Sequence, residues 1–518
     1  MPPSAPRTPD DRPLSIDDPD RVRRAREVLD RAGFDLAGLA EVLGPNPPSL
    51  HEDLQRGQRP CYLRRSRGSS PREILIRLFV LSADVSEAEA RRAVAPMDLA
   101  EWEELGLLQR DGDAVRALAE VLPGEGRLIA AAPDPTRRPT TAGVDPNIVM
   151  NTRSKATWRL ARCLIRRPGG DALDVGTGSG VLALLAGCWS KSVTALDCTP
   201  QAVNVAAFNG LLNGFAHFQT LQGDFFTPVE GRTFDHVISN PPYVVSPQRP
   251  GAPGYIVYRD GAMPADGVSE HVVRSIPRFL RPGGFGQTLI NWIHRRGETG
   301  ADRLRTWTAG CGCDVWATTF FTYPAADYAT KWTPVPSDGS DEEFQRRYDV
   351  LMDYYEAEGI EAISSGLVTL RRRPGGSNWF VADETPYPTW PVGDALLERI
   401  TRRGDVEALA DDAALLAARL RITPEVRWLQ EWKLEGAEWE GTSSKLHLND
   451  GSPRALHMDV NSLRVFQACQ GDRPLKAVLE ELAQSWGEPL DAVVPPCLRL
   501  VRCLLDQGFI VPDRAETH

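Results

Sequence analysis

Apolar positions recur with two periods between residues 140 and 385. Short apolar runs alternate with longer stretches of helical spacing. Ala172–Val175, Val193–Leu196, Phe218–Gln222, Phe234–Ser239 and Gly284–Asn291 read as strands, and a last strand reads at Gly366–Leu370. Strands that alternate with helices predict an α/β fold with a doubly wound parallel sheet. The stretch from 324 to 360 reads as an insertion that carries a helix, E-E-F-Q-R-R-Y-D-V-L-M-D-Y-Y, before the last strand.

The flanks have other patterns. Residues 1–13, M-P-P-S-A-P-R-T-P-D-D-R-P, are polar and proline-rich and predict a disordered tail. Residues 14–135 predict a mostly helical domain. Ser70-Pro71-Arg72-Glu73 combines an N-cap, a first-turn proline and a glutamate three residues on, and Ser86 with Glu89 repeats the device. Strands around Asp111-Gly112 then predict a hairpin. Helices followed by a hairpin resemble a winged helix, a shape that binds DNA in some proteins and packs against protein in others. Residues 386–518 predict a mostly helical third region. Trp428 and Trp432 are one helical turn apart, which predicts a helix with both rings in a core. The end, from L-R-V-F-Q-A-C-Q to L-L-D-Q-G-F-I-V-P, again resembles a winged helix.

Composition narrows the function classes. The 518 residues are 42% hydrophobic and 25% charged, ordinary for a globular protein with several cores. No apolar run reaches membrane-spanning length and no secretory leader opens the chain, so no membrane partner is expected and the cytoplasm is the expected location. The net charge of −11 gives a global field that disfavours nucleic acid. Nine scattered cysteines and eight scattered histidines show no ligand spacing, so no metal site is expected.

The candidate chemistry sits at strand ends. Asp174-Val175-Gly176-Thr177-Gly178-Ser179-Gly180 follows the first strand, and its glycines let backbone approach a ligand. A dinucleotide fingerprint needs glycine where Val181 stands. The acidic residue before the first glycine suits a ligand that carries an amino group. Asp197 ends the second strand, where a carboxylate can accept from both ribose hydroxyls. Asp224-Phe225 ends the third, where a carboxylate and a ring can receive an adenine. Asn240-Pro241-Pro242-Tyr243 ends the fourth, and two prolines stop the strand on a stiff turn.

These four pieces in this order resemble the class I S-adenosylmethionine-dependent methyltransferases. The resemblance covers about residues 140–385 and implies a Rossmann-like fold with S-adenosyl-L-methionine as cofactor. It assigns cofactor binding to Asp174, Gly176, Thr177, Gly178, Gly180, Asp197, Asp224, Phe225 and Asn240. N-P-P-Y is similar to the motif of enzymes that methylate planar nitrogens, which implies catalytic roles for Asn240, Pro241, Pro242 and Tyr243. Such a nitrogen is a poor nucleophile. Acceptors for its two hydrogens, the Asn240 side-chain oxygen and the Pro241 carbonyl, stabilise the charge that grows as the methyl arrives. Tyr243 can stack on the flat substrate. Tyr258 and Arg259 are further substrate candidates, and Arg259 can equally pair with Asp260.

The nearest resemblance is to the protein-glutamine methyltransferases of release factors, which implies a protein or peptide substrate. Val149-Met150-Asn151-Thr152-Arg153 stands where those enzymes carry a segment with proline and acidic residues. An RNA guanine-N2 or adenine-N6 methyltransferase is the alternative, with RNA as partner. A tailoring enzyme for a peptide natural product and an inactive scaffold are the remaining readings.

Overall fold

The computed structural model describes residues 14–44, 58–132, 154–248, 250, 255–335, 339–373, 378–388, 390–435, 438–448 and 454–513. The expected tail at 1–13, the segment 149–153 and Gly254 lie outside the described residues. The chain divides into two compact units, one of residues 1–161 and 167–383 and one of 162–166 and 384–518.

The first unit is built on eight strands: β1 (Asp171–Val175), β2 (Ser192–Asp197), β3 (Phe218–Gln222), β4 (Phe234–Ser239), β5 (Leu280–Arg295), β6 (Cys313–Pro324), β7 (Ile360–Arg372) and β8 (Phe380–Glu384). Their order across the sheet is 3-2-1-4-5-7-6-8. Strands β1 to β5 pair in parallel. Strand β7 runs antiparallel to both β5 and β6, so the sheet is mixed rather than wholly parallel. Chain order reverses between β1 and β4, the switch point at which open α/β sheets leave a crevice at their carboxyl ends. Leu173, Val237, Ile290 and Val368 share one face of the sheet and, buried with Val272, Val273, Leu304 and Trp307, hold the helices Gly267–Ser275 and Gly300–Thr308 to it.

Four of the six expected strands are longer in the structure, β1 and β2 slightly and β5 and β7 to twice the expected length or more, and β6 and β8 were not expected. The insertion lies between β6 and β7 and holds two helices, Ala325–Trp332 and Asp341–Ala357. Tyr328, Leu351 and Tyr355 from these helices pack on Val244 and Val245, the residues that follow the N-P-P-Y turn.

Both N-terminal capping boxes form, at Ser70–Glu73 and Ser86–Glu89. The hairpin around Asp111-Gly112 pairs Leu108–Asp111 with Ala114–Ala117. A second hairpin, Glu120–Gly124 with Arg127–Ala131, follows. This region shares its core with Phe208 and Leu212 of the helix Pro200–Leu212, which connects β2 to β3.

The second unit holds two three-stranded sheets beside its helices. Trp428 and Trp432 lie on the strand Val426–Glu435, not on a helix. They are 43% and 53% exposed, so the expected core role is also overturned. A spacing of four fits both periods, since four residues return to one face of a strand as well as of a helix. Trp432 covers Gly441 of the paired strand, and the Trp428 indole donates to Ser444 Oγ at 2.7 Å. No helix among the described residues is long and apolar enough to cross a membrane.

Candidate active site

A solvent-open cleft lies at the carboxyl ends of β1, β2 and β4. Its first wall is the loop after β1. Gly176 and Gly178 have φ of +73° and +55°, a left-handed backbone that disfavours side chains. A Cβ at either would meet no protein atom within 4 Å, so it would project into open space on the wall. The backbone N–H groups of Gly176 and Thr177 donate to Leu196 O at 2.8 and 2.9 Å, which folds the loop over the end of β2.

Asp197 stands on the second wall, half-buried. Its Oδ2 accepts from Gly178 N at 3.0 Å, and its Oδ1 accepts from Thr199 N and Oγ1, both at 3.0 Å. The carboxylate is thus fixed in place by the glycine loop and by the N-cap of the next helix. Asp224 is exposed on the same cleft, beside Phe225. Phe225 has φ of +42°, unusual for an aromatic residue, and its ring lies 4.6 Å from that of His271.

Asp174 lies behind the wall rather than on it, and is 1% exposed. Its Oδ2 accepts from Thr177 Oγ1 at 2.7 Å and Ala183 N at 3.1 Å. Its Oδ1 is buried without a hydrogen-bond partner. Burial, with the Asp197 charge adding to it, pushes the Asp174 carboxyl up to about 7. Gly180, at φ +84°, caps the helix Val181–Ala186 and fits against Ala206.

The N-P-P-Y turn forms the far wall. Asn240, Pro241 and Pro242 line the cleft. Asn240 Nδ2 donates to Thr157 Oγ1 at 3.3 Å, on the helix Lys155–Cys163. Asn240 Oδ1 is buried and has no hydrogen-bond partner among the described residues. Tyr243 is not among the lining residues. It packs against the cluster around Tyr328 and Tyr355, because the prolines turn the chain toward the insertion. Tyr258 lines the cleft, 38% exposed. Arg259 does not line it. Its guanidinium clamps Asp260 by two hydrogen bonds of 2.9 Å, and Asp260 also accepts from Ser246 Oγ and Ile256 N.

Thr157, Ser179, Cys198 and Ser239 also line the cleft, and the sequence reading passed over all four. Thr199, which orients Asp197, was signalled by its place before a proline at a helix start. Burial pushes the Cys198 thiol up to about 11, so it stays protonated at neutral pH.

Residues 151–250 match the methyltransferase small domain family, and residues 31–118 match a domain of unknown function (DUF7059). The release factor glutamine methyltransferase of Salmonella typhimurium is 33% identical over 120 residues, 22% of this chain and 43% of that protein. That of Moorella thermoacetica is 39% identical over 121 residues, covering 22% and 40%. The ribosomal protein L11 methyltransferase of Pelotomaculum thermopropionicum is 42% identical over 102 residues, covering 19% and 33%. Residues 151–250 thus belong to a class I S-adenosylmethionine-dependent methyltransferase domain. The chain spans less than half the length of each of these relatives.

The cleft of the methyltransferase domain fits its cofactor, S-adenosyl-L-methionine. The open space before Gly176 and Gly178 admits a ligand against bare backbone. The anchored Asp197 carboxylate offers acceptors for hydroxyls, and Asp224 with Phe225 offers an acceptor and a ring beside it.

Proposed function

We propose that the protein is an N-methyltransferase that acts on a planar NH2 nitrogen, a protein or peptide side-chain amide of the glutamine type. The observation that carries this reading is Asn240. Its amide nitrogen is committed to Thr157, and its buried amide oxygen is left without a partner at the cleft. A buried unpaired acceptor is costly, and an NH2 group would satisfy it.

When bound, S-adenosylmethionine would supply an electrophilic methyl group on a cationic sulfur. Asn240 Oδ1 and the Pro241 carbonyl accept the two substrate N–H groups and orient the nitrogen lone pair. As charge grows on nitrogen, these fixed dipoles stabilise it without reorganising. A strong base is not needed, since the proton becomes acidic after the methyl arrives. Asp197 would hold the ribose hydroxyls, Asp224 and Phe225 would hold the adenine, and Tyr258, on the cleft wall, would border the substrate. Asp174 acts from behind, by holding Thr177 and the start of the next helix. All three relatives are named for protein substrates, which supports a protein over an RNA acceptor.

The test uses the full chain, methyl-labelled S-adenosylmethionine and cell extract divided into protein, RNA, DNA and small-molecule pools. Label in protein that the Asn240→Ala variant fails to place is the expected result. Label in RNA instead would overturn the substrate class.

A further inference from the structure

The helix Pro200–Leu212 is apolar along most of its length, yet Asn209 on it is fully buried. Its amide is saturated from two directions. Oδ1 accepts from Ala130 N at 2.8 Å, and Nδ2 donates to Ala130 O at 2.8 Å. The second hydrogen of Nδ2 goes to Ser179 O, also at 2.8 Å. Ala130 belongs to the N-terminal region and Ser179 to the glycine loop of the cleft.

Asn213 repeats half of this pattern one turn later. Its Oδ1 accepts from Leu128 N at 3.0 Å and its Nδ2 donates to Leu128 O at 2.7 Å. The geometry has a simple origin. Four helical residues rise about 6 Å, and two strand residues advance about 6.8 Å. Asn209 and Asn213 therefore meet alternate residues of Arg127–Ala131. Alternate residues on an antiparallel strand send their backbone groups to the edge away from the paired strand. The two amides act there as a substitute strand. Asn213 spends its remaining capacity on Asn209 O and on Arg26, rather than on the loop.

Ser179 sits between two constrained glycines. Gly178 N is held by Asp197, and Gly180 fits against Ala206 on the same helix that carries Asn209. The Ser179 carbonyl is one of the loop's anchors, beside Asp174 on Thr177 and Leu196 O on Gly176 and Thr177.

We propose that Asn209 is a positioning residue that ties the N-terminal region to the cofactor loop, so that the strand Arg127–Ala131 sets cofactor affinity through it. The N-terminal region is then part of the cofactor site's support rather than an appended substrate reader. This rests on the reading of the cleft as the S-adenosylmethionine site.

The experiment measures calorimetric binding of S-adenosylhomocysteine, with melting temperature, for the full chain and three variants. Asn209→Leu removes all three bonds. Asn209→Asp keeps the acceptor for Ala130 N and loses both donors, and it serves if the leucine variant does not fold. Asn213→Leu breaks the grip on the same strand without touching the loop. All three should melt lower. The Asn209 variants should raise the dissociation constant about tenfold or more, and Asn213→Leu should leave it within about twofold. Equal weakening by Asn209 and Asn213 variants would reduce Asn209 to a structural residue and overturn the proposal. So would wild-type affinity in an Asn209 variant. Absence of binding by the wild type would overturn the cofactor reading itself, and this proposal with it.

Discussion

The Tyr355 hydroxyl donates to the carbonyl of Val245 over 2.8 Å, across 110 residues of sequence. Val245 lies two residues beyond Tyr243, and Tyr328 Oη accepts from its N–H at 3.3 Å. Both backbone groups of one residue beside the N-P-P-Y turn are thus met by the insertion. Burial raises the Tyr355 hydroxyl well above its ordinary value, so it remains a donor at all working pH. Tyr355→Phe keeps the ring and leaves a buried carbonyl without this donor, at a cost of about 1–3 kcal/mol. The expected result is a lower melting temperature together with a fall in kcat larger than any change in S-adenosylhomocysteine affinity. Unchanged kcat would show that the insertion does not steady the turn.

Thr157 fixes which end of the Asn240 amide faces the cleft. Thr157→Val keeps the shape and removes the acceptor. Without it the amide is free to rotate, and the wrong group can point at the substrate. Turnover should fall about tenfold or more, with cofactor affinity kept. Thr157→Ser should restore most of it. Asn240→Ala should cost about 10²–10³ in kcat, the scale for loss of one group that stabilises developing charge. Rates of methyl transfer at saturating cofactor check all three.

Asp174 gives a pH prediction for the protein without cofactor. Its folded value of about 7 lies above the ordinary 3.8 of a carboxyl. The folded state therefore holds a proton that the unfolded state has released. The stability tied to that proton is fully present below about 4, and is lost as pH rises through about 7. Asp174→Asn mimics the neutral form at every pH. The melting temperature of Asp174→Asn minus that of the wild type should grow from pH 4 to pH 7 and then level off. A difference that stays flat across this range would mean that Asp174 is ionised throughout.

Much of the sheet was legible because β1 to β4 are apolar runs closed by Gly, Asp or Pro. Strand β6 was not legible. Asp314, Thr318 and Thr319 interrupt its apolar residues, and Asp314 to Thr318 are buried without alternation, so neither period shows. The cleft was legible where function is local in sequence, at Gly176–Gly178, Asp197, Asp224 and Asn240. It was not legible where a side chain works across the fold. Thr157 meets Asn240 over 83 residues, and Asn209 meets Ala130 over 79. Tyr243 was expected at the substrate from its place in a motif, but the insertion draws it into a second cluster. Nothing in the four-residue motif records that neighbour.

Arg259 and Asp260 separate a structural pair from a substrate-binding residue. Asp260 is buried and Arg259 is largely so, with side chains 1% and 18% exposed. Removal of the cation alone leaves a buried carboxylate held, among the described residues, by the Ser246 hydroxyl and the Ile256 N–H. Loss of one partner from a buried pair costs about 3–5 kcal/mol. Arg259→Met should therefore lower the melting temperature by several degrees. Arg259→Met with Asp260→Asn should recover part of that loss, since no buried charge remains. If the pair only shapes the loop beside Tyr258, the double variant should also recover turnover, with the acceptor KM close to wild type. If Arg259 grips an anionic group of the substrate, the double variant should regain stability while its acceptor KM stays raised. The split between melting temperature and KM in the double variant decides between the two roles.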